Sequence, residues 1–358
     1  MIILLFFAAG LAAQQQAQSI HWREALRQEE GWYAGTEAVR IADNLLVYQL
    51  PSGGWPKNVD MARPLTKEEK SEITQAQKDP FDELGQSTID NNATYDQMRF
   101  LAKVYEKTEE NCFKKGFNRG LGYLLEAQYE NGGWPQFYPL KEGYYQHITF
   151  NDGAMMGVMQ LLREIANGDF EFVQEAKRTL AREAIDKGLD LILKTQVEVS
   201  GRPTAWCAQY DALSLEPATA RTYELPSISG AESVAIVEYL MEIEKPTPEV
   251  IRAVKAAVAW FEEVKIPCLR LIRNPDSTAP RGYDLVIGFD PASKEDHWAR
   301  FYEIGTNYPM FIDRDGIVKY AISEIGIERR TGYRWLGQWA KPLIETEYPA
   351  WLKRHGLD

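Results

Sequence analysis

The chain has 358 residues, of which 45% are hydrophobic and 26% are charged, a balance that excludes a disordered, collagen-like or disulfide-scaffold protein. Its 40 basic and 52 acidic side chains give a formal net charge of −12, which argues against nucleic-acid binding because that depends on a basic surface. If the partner is a polyanion, a local basic cluster or a bound cation must supply the attraction, because the overall field repels it.

The first 18 residues carry no charged side chain, and an apolar run extends from Ile2 to Ala13. This length is typical of the hydrophobic region of a signal peptide and is too short to span a bilayer. We therefore predict a signal peptide over 1–13 with cleavage near residue 13, an N-terminal segment over 14–40 and a single domain over 41–358. A secreted or periplasmic protein follows, with no membrane association after cleavage. The alternative is an amphipathic start buried in the domain.

The three cysteines are widely separated in the chain: they are Cys112, Cys207 and Cys268. An odd number leaves at least one thiol unpaired, so one optional disulfide is possible but no disulfide framework is implied. No Cys-x-x-Cys pair or cysteine–histidine cluster with zinc spacing occurs in the sequence. A structural zinc site is therefore not expected.

Three segments of the chain repeat one pattern, an apolar stretch of helical period followed by a glutamine and then by a tryptophan turn. The pairs are Gln49 with Trp55, Gln128 with Trp134 and, in a degenerate copy with a short insertion, Gln196 with Trp206. The first two tryptophans lie in Gly-Gly-Trp-Pro turns, where glycine permits positive φ and proline fixes the exit. We expect the tryptophans to pack between helices; the alternative is an aromatic face that stacks on sugars.

A second set of segments alternates with the first, and each member opens with small or polar residues that are typical of helix N-caps. These segments are TIDNNATYDQMRFLAKVYEKT (88–108), ITFNDGAMMGVMQLLREIANGD (148–169) and SISGAESVAIVEYLMEIEKP (227–246). The alternation predicts an all-α fold, a toroid of three helical hairpins. Polar helix starts and long loops would meet at one rim and form a substrate cleft. The predicted loops are 59–87, 135–147, 201–228 and 270–318.

Carboxylate and amide side chains stand at the start of two neighbouring repeat units. Asp90 and Asn91 open one unit, and Asp152 opens the next. Oxygen ligands from adjacent helix starts are those that a hard cation such as Ca²⁺ prefers. The alternative is ordinary helix capping, because the spacing alone matches no fixed metal motif.

Eight longer segments, in order along the chain from about residue 41 to residue 353, carry a further signal. They are GGWPKN, STIDNNATYDQMRFLAKVY, AQYENGGWPQFYPL, YYQHITFNDGAMMGVMQLL, TAWCAQYD, PATARTYELPSISGAES, WARFYEIGTNYPMFIDRDGIVKY and ERRTGYRW. Together they closely resemble the family 10 pectate lyases. The resemblance implies an (α/α)₃ toroid whose catalytic domain covers 41–358. It also implies endo-type cleavage of de-esterified polygalacturonate by Ca²⁺-assisted β-elimination.

The resemblance also implies roles for individual residues. It makes Arg221 the Brønsted base, although a guanidinium is protonated in ordinary settings, and the alternative role is a clamp for a substrate carboxylate. Arg300 and Arg314 match positions that hold substrate carboxylates, with structural ion pairs as the alternative. Asn91 and Tyr223 are assigned to substrate binding. The metal ligands are Asp90 and Asp152.

Two other functions stay open at this stage. A glycoside hydrolase could use Asp90 and Asp152 as its pair of carboxylates, and a non-catalytic protein could bind a polysaccharide without cleaving it. The sequence contains no phosphate-binding loop, serine-hydrolase or zinc-peptidase motif, so it gives no support to those chemistries. The expected partner is a polygalacturonate chain and not a nucleic acid, and a monomer is expected.

Overall fold

Helices form the main framework of residues 20–357, the part of the chain that a computed structural model describes. Within that part the α-helices are α1 (Trp22–Ala25), α2 (Thr36–Tyr48), α3 (Lys67–Ala76), α4 (Tyr95–Thr108), α5 (Asn111–Ala127), α6 (Ala154–Asn167), α7 (Glu175–Lys194), α8 (Glu232–Met241), α9 (Pro248–Glu263), α10 (Ile327–Gly332) and α11 (Tyr348–His355). None of them is both long and apolar enough to cross a membrane. The predicted signal peptide, residues 1–13, lies outside the described residues.

The longer helices pack as antiparallel neighbours in two layers. α4 packs against α5, α6 against α7 and α8 against α9. In one layer α6 contacts both α4 and α8, and in the other α7 contacts both α5 and α9. Each helix buries one apolar stripe, for example Phe117, Leu121 and Leu124 of α5, at the i, i+4 and i+7 spacing of an amphipathic helix. The predicted repeat of helical units is therefore present.

Residues of the predicted N-terminal segment pack onto this framework. The ring of Tyr33, in a 3₁₀ turn over Glu30–Ala34, lies 5.8 Å from the ring of Phe100 on α4. α2 begins at Thr36 and continues without a break past residue 41.

The repeated glutamines and tryptophans make the same hydrogen bonds in each copy. All three tryptophans are fully buried, and each indole Nε1 donates to a carbonyl near the end of the preceding helix. The acceptors are Leu45 for Trp55 at 2.8 Å, Leu124 for Trp134 at 2.7 Å and Ile192 for Trp206 at 2.7 Å. Each glutamine amide donates to two backbone carbonyls, one of them on α5, α7 or α9. For Gln49 these are the carbonyls of Gly53 and Gly116. The tryptophans are structural, as expected.

The main chain of each tryptophan turn also holds the segment that leads into a polar helix start. The carbonyls of Trp55, Trp134 and Trp206 accept the backbone N–H groups of Thr88, Thr149 and Ser229 at 3.1, 3.1 and 2.7 Å respectively. A fourth tryptophan, Trp298, follows α9 and donates its Nε1 to the carbonyl of Phe261 at 2.8 Å. This copy is hidden in the sequence, because a β-hairpin separates the helix from its tryptophan.

The prediction of an all-α toroid is wrong, because six two-stranded antiparallel sheets join the helices within residues 20–357. In chain order the strands are β1 (Ile148–Thr149), β2 (Glu198–Val199), β3 (Arg202–Pro203), β4 (Gln209–Tyr210), β5 (Ile228–Ser229), β6 (Leu269–Pro275), β7 (Tyr283–Phe289), β8 (Trp298–Ala299), β9 (Phe301–Tyr302), β10 (Phe311–Ile312), β11 (Val318–Lys319) and β12 (Leu336–Gly337). The pairs are β1 with β4, β2 with β3, β5 with β9, β6 with β7, β8 with β12 and β10 with β11. Most of these strands have two residues, too few for the alternation that marks a strand in a sequence.

The longest sheet is a hairpin of β6 and β7, which lies within the predicted loop 270–318 except for its first residue, Leu269. Seven residues pair on each side, from Leu269 opposite Phe289 to Pro275 opposite Tyr283. α3 likewise lies within the predicted loop 59–87. α3 was missed because Ile73 is its one buried residue. The hairpin was missed because the Pro, Gly and Asp residues of its segment are typical of a loop, although both strands carry apolar residues.

The close approach of α5 to the first tryptophan turn gives a test of the packing. A Cβ atom at Gly120 would lie 2.7 Å from the Met98 side chain and 3.0 Å from the Trp55 ring, whereas a Cβ at Gly122 has nothing within 4 Å. We expect Gly120→Ala to lower the free energy of unfolding by about 1–3 kcal/mol through overpacking. Gly122→Ala should raise it by up to about 1 kcal/mol, because alanine favours the helix. Urea unfolding followed by circular dichroism measures both, and equal effects at the two positions would contradict this packing.

Candidate functional site

The polar starts of α4, α6 and α8 lie side by side. The 3₁₀ turns Asp90–Asn92 and Asn151–Gly153 contact each other, and the second also contacts α8. Asn91 and Asp152 both have φ of 51°, a left-handed conformation that Asn and Asp adopt more readily than other non-glycine residues. These turns place three carboxylates near one another, those of Asp90, Asp152 and Glu232.

Asp90 is buried, at 4% exposure. Its Oδ2 accepts hydrogen bonds from Lys57 Nζ at 2.5 Å and from Gln136 Nε2 at 2.7 Å. Its Oδ1 is also buried but has no hydrogen-bond partner within residues 20–357. A buried carboxylate oxygen without a partner carries a large desolvation cost, so this atom is suited to a ligand from outside the chain.

Asp152 is more open, with 43% of its side chain exposed. Asn151 Nδ2 donates to its Oδ2 at 2.7 Å, and Arg300 Nη2 donates to its Oδ1 at 3.2 Å. Burial raises the pKa of the Asp152 carboxyl, and the negative charges of Glu232 and Asp90 raise it further, against the opposing effect of Arg300. The negative charges of Asp90, Asp152 and Glu232 therefore lie close enough to affect the pKa of Asp152.

Arg300 lies at the site but is held in a buried ion pair. Its side chain is 13% exposed and that of Glu232 is 3% exposed, and the two are hydrogen-bonded. Burial lowers the pKa of Arg300, but Glu232 and Asp152 more than offset this and leave it raised. The Ser229 hydroxyl donates to the other oxygen of Glu232. Two roles were considered for Arg300, a clamp for a substrate carboxylate and a structural ion pair. The structure contains the ion pair.

The short sheets explain why Arg300 reaches this position. β5 pairs with β9, which sets Ser229 opposite Phe301, and the Gly230 N–H donates to the Arg300 carbonyl at 3.0 Å. Glu232 was not singled out from the sequence, although it stands at the third polar helix start. The repeat itself could have identified it.

Arg221 pairs with a buried glutamate three residues further along the chain. Its Nε donates to Glu224 Oε2 at 2.7 Å, and its Nη2 donates to Oε1 in a second bond. This pairing raises the pKa of Arg221, which burial alone would lower. Burial raises the pKa of Glu224, but Arg221 and the Tyr333 hydroxyl, 2.9 Å from Oε1, leave it below its usual value. Glu224 and Tyr333 were also missed in the sequence analysis.

Tyr223 forms a platform for three arginines. Its ring centroid lies 4.9 Å from the guanidinium carbon of Arg221, 6.0 Å from that of Arg314 and 4.5 Å from that of Arg329. Arg314 is 64% exposed and pairs with Glu328 at 3.0 and 3.1 Å. This arrangement places two of the predicted substrate-binding residues, Arg314 and Tyr223, beside the predicted base.

Two groups of residues thus form one site, joined through Tyr333. One group contains Asp90, Asp152 and Arg300, with Asn91 next to Asp90 in sequence and hydrogen-bonded to Asn58 at 2.9 Å. The other contains the arginines around Tyr223. The Tyr333 hydroxyl donates to Glu224, and its ring lies 5.0 Å from the Arg300 guanidinium carbon.

The donor set at the helix starts fits a Ca²⁺ site that a ligand completes. Residues 20–357 contain no group of three or more Asp, Glu, His or Cys side chains arranged to hold a metal ion. Asp90 offers one unpartnered oxygen and Asp152 is accessible, so two carboxylates are available, whereas Ca²⁺ takes six to eight oxygen ligands. Further oxygens would have to come from water, from amide groups or from a bound molecule.

Comparisons with a family model and with solved structures identify one family of polysaccharide lyases. The model of the pectic acid lyase family matches residues 49–344. A solved structure of a mutant family 10 polysaccharide lyase from Cellvibrio cellulosa in complex with trigalacturonic acid is 34% identical, with a TM-score of 0.74 over 92% of this chain and 95% of that one. A second structure of a family 10 polysaccharide lyase from the same organism is 33% identical, with a TM-score of 0.74 over 94% and 95%. A comparison with curated proteins gave no match.

The different settings of Arg300 and Arg314 give a test on stability. Arg300→Met would leave Glu232 buried without its charge partner, so we expect the free energy of unfolding to fall by about 3–5 kcal/mol. Arg314→Met removes an exposed ion pair and should cost about 0–1 kcal/mol. Urea unfolding of the two variants measures the difference. Similar losses in both would show that Arg300 is not held as described.

Proposed function

Since the chain belongs to the pectic acid lyase family, as the family 10 resemblance of its sequence predicted, we propose that it cleaves de-esterified α-1,4-polygalacturonate by endo-type β-elimination with Ca²⁺ as cofactor. That it is a polysaccharide lyase follows from the family. The substrate, the cofactor, the position of cleavage and the roles of individual residues are the proposal.

The observation that carries the proposal is the pair of neighbouring carboxylates with one oxygen unpartnered. β-Elimination removes the proton at C5 of a galacturonate, forms the C4=C5 double bond and breaks the bond from C4 to the linking oxygen, which then takes a proton. The C5 proton lies next to a carboxylate, whose negative charge makes it weakly acidic. Asp90 and Asp152 would hold the Ca²⁺ ion. When bound, the ion would neutralise the charge of the substrate carboxylate and so make the C5 proton more acidic.

We assign proton abstraction to Arg221. Its side chain is 44% exposed, whereas that of Arg300 is mostly buried in the pair with Glu232. The bond to Glu224 keeps Arg221 protonated, so a role as base requires this pair to open or to be shared when the substrate binds. Tyr223 and Arg314 would then orient the uronate, because a guanidinium matches the geometry of a carboxylate. Asn91, next to Asp90, would contact the substrate at the metal end.

The metal assignment predicts the effect of removing either carboxylate. Asp90→Asn and Asp152→Asn should abolish formation of the unsaturated product from polygalacturonate at low Ca²⁺, with the helical circular dichroism unchanged. Asp190→Asn, at an exposed position on α7, is the matched control and should keep full activity. Near-normal turnover by Asp90→Asn or Asp152→Asn would remove that residue from the metal site.

The base assignment predicts a loss confined to the chemical step. Arg221→Lys keeps a positive charge but moves the attacking nitrogen, so kcat should fall by about 10²–10⁴-fold with KM little changed. Glu224→Gln removes the charge that raises the pKa of Arg221, so the alkaline rise of kcat should move to lower pH. Steady-state kinetics across pH at saturating Ca²⁺ measure both effects.

A carboxylate clamp gives the opposite pattern at the same positions. In that case Arg221→Lys raises KM and keeps most of kcat, and Glu224→Gln leaves the position of the pH profile unchanged. Arg252→Lys, exposed on α9, is the control for the general effect of an arginine-to-lysine change.

A further inference from the structure

A cavity lies beside the candidate site, between the β6–β7 hairpin and residues 330–338. Its volume is about 850 Å³, within the range of ligand-binding pockets. Arg273 on β6, Arg281 in the turn before β7 and Arg334 line it. Arg273 lies on the same face of β6 as Leu269 and Leu271, the face that is turned toward the body of the protein.

Three of the four arginines that line this cavity have no carboxylate partner in the described part of the chain. The fourth, Arg330, is paired with Asp284 at 2.7 Å, and Arg270, on the other face of β6, is paired with Asp290 at 3.5 Å. Within residues 20–357, by contrast, Arg273, Arg281 and Arg334 form no ion pair. In a chain of net charge −12, acidic side chains are plentiful, so three unpaired arginines at one cavity form a local site for an anion.

Aromatic rings fix the orientation of two of these arginines. The Arg273 guanidinium carbon lies 5.1 Å from the Tyr283 ring centroid, and that of Arg334 lies 5.0 Å from the Trp339 ring centroid. Stacking restricts the guanidinium planes and leaves their N–H groups free, which favours bidentate binding of carboxylates. Glu295 is the acidic residue that lines the cavity, and its single charge leaves the cavity net positive.

A buried polar atom points to a missing partner at the same place. His297 lines the cavity, is 5% exposed and has an Nδ1 atom with no hydrogen-bond partner in the described part of the chain. Such atoms are rare in folded proteins, and this one belongs to a residue of the cavity wall. Burial lowers the pKa of His297, so its ring is available in the neutral form, with one donor and one acceptor nitrogen.

Tyr333 connects this cavity to the candidate site. It lines the cavity, while its hydroxyl donates to Glu224 and its ring lies against Arg300. A polymer bound at the candidate site would therefore have the cavity next to it.

We propose that this cavity is a further uronate subsite, in which Arg273, Arg281 and Arg334 bind carboxylates of the polysaccharide beyond the sugar that reacts. The inference rests on the proposed polygalacturonate substrate and extends it. It also explains how an acidic protein binds those parts of a polyanion that do not reach the metal site. Each added contact would lower KM for long chains, and none would touch the reacting atoms.

The test compares the double variant Arg273→Gln/Arg334→Gln with wild type and with Arg270→Gln, the matched arginine of the same hairpin outside the cavity. With polygalacturonate at saturating Ca²⁺, the double variant should raise KM by about tenfold or more, since charged hydrogen bonds are lost, and leave kcat little changed. Calorimetry with decagalacturonate in the presence of a chelator should give a similar loss of affinity. Arg281→Gln, in the exposed turn, should lower affinity in the same direction.

Two outcomes overturn the subsite. One is unchanged KM without any loss of decagalacturonate affinity in the double variant, which includes the case in which wild type itself does not bind decagalacturonate. The other is an equal loss in Arg270→Gln, which would mean general attraction between charges. Failure of the proposed function is seen separately, as the absence of unsaturated product with the wild-type enzyme, because the calorimetric comparison needs no turnover.

Discussion

The tryptophan turn is the constraint on which the site depends. In each repeat a buried indole bonds to the end of one helix, and the carbonyl of the same tryptophan holds the residue that leads into the next polar helix start. Side chain and main chain of one residue thus fix both the helix framework and the position of the site. The carboxylates of Asp90 and Asp152 come together because two copies of this turn are neighbours.

The site combines crowded negative charge with arginines in two different states. The negative charges of Glu232 and Asp90 raise the pKa of Asp152, and Arg300 opposes this while it forms a buried ion pair with Glu232. This leaves Asp90 with an oxygen that no described residue satisfies. Arg221 and Arg314 are more exposed and rest on Tyr223, where a substrate can reach them. Arg300 therefore pairs with the carboxylates of the site, whereas Arg221 and Arg314 are accessible to a ligand.

The repeat explains how far the sequence alone could predict this structure. Glutamine and tryptophan at fixed spacing predicted the helical units, and equivalent helix starts predicted that Asp90 and Asp152 lie together. A structural ion pair was one alternative for Arg300, but its partner Glu232 was not predicted, because the two residues are 68 positions apart. The strands that bring them together have two residues each, too few to leave a pattern in the sequence. The β6–β7 hairpin was missed because its segment contains Pro, Gly and Asp residues that are typical of a loop, although both strands carry apolar residues. Without the hairpin, neither the strands of the fold nor the arginine cavity could be predicted.

The central claim, that the chain cleaves polygalacturonate by elimination and not by hydrolysis, is tested most directly by the products of cleavage in heavy-oxygen water. Mass spectrometry should find oligogalacturonides with an unsaturated end and no oxygen taken from the solvent at the broken linkage. Their formation should stop when a chelator is added and resume with Ca²⁺. Saturated products that carry solvent oxygen at the new reducing end would contradict the account.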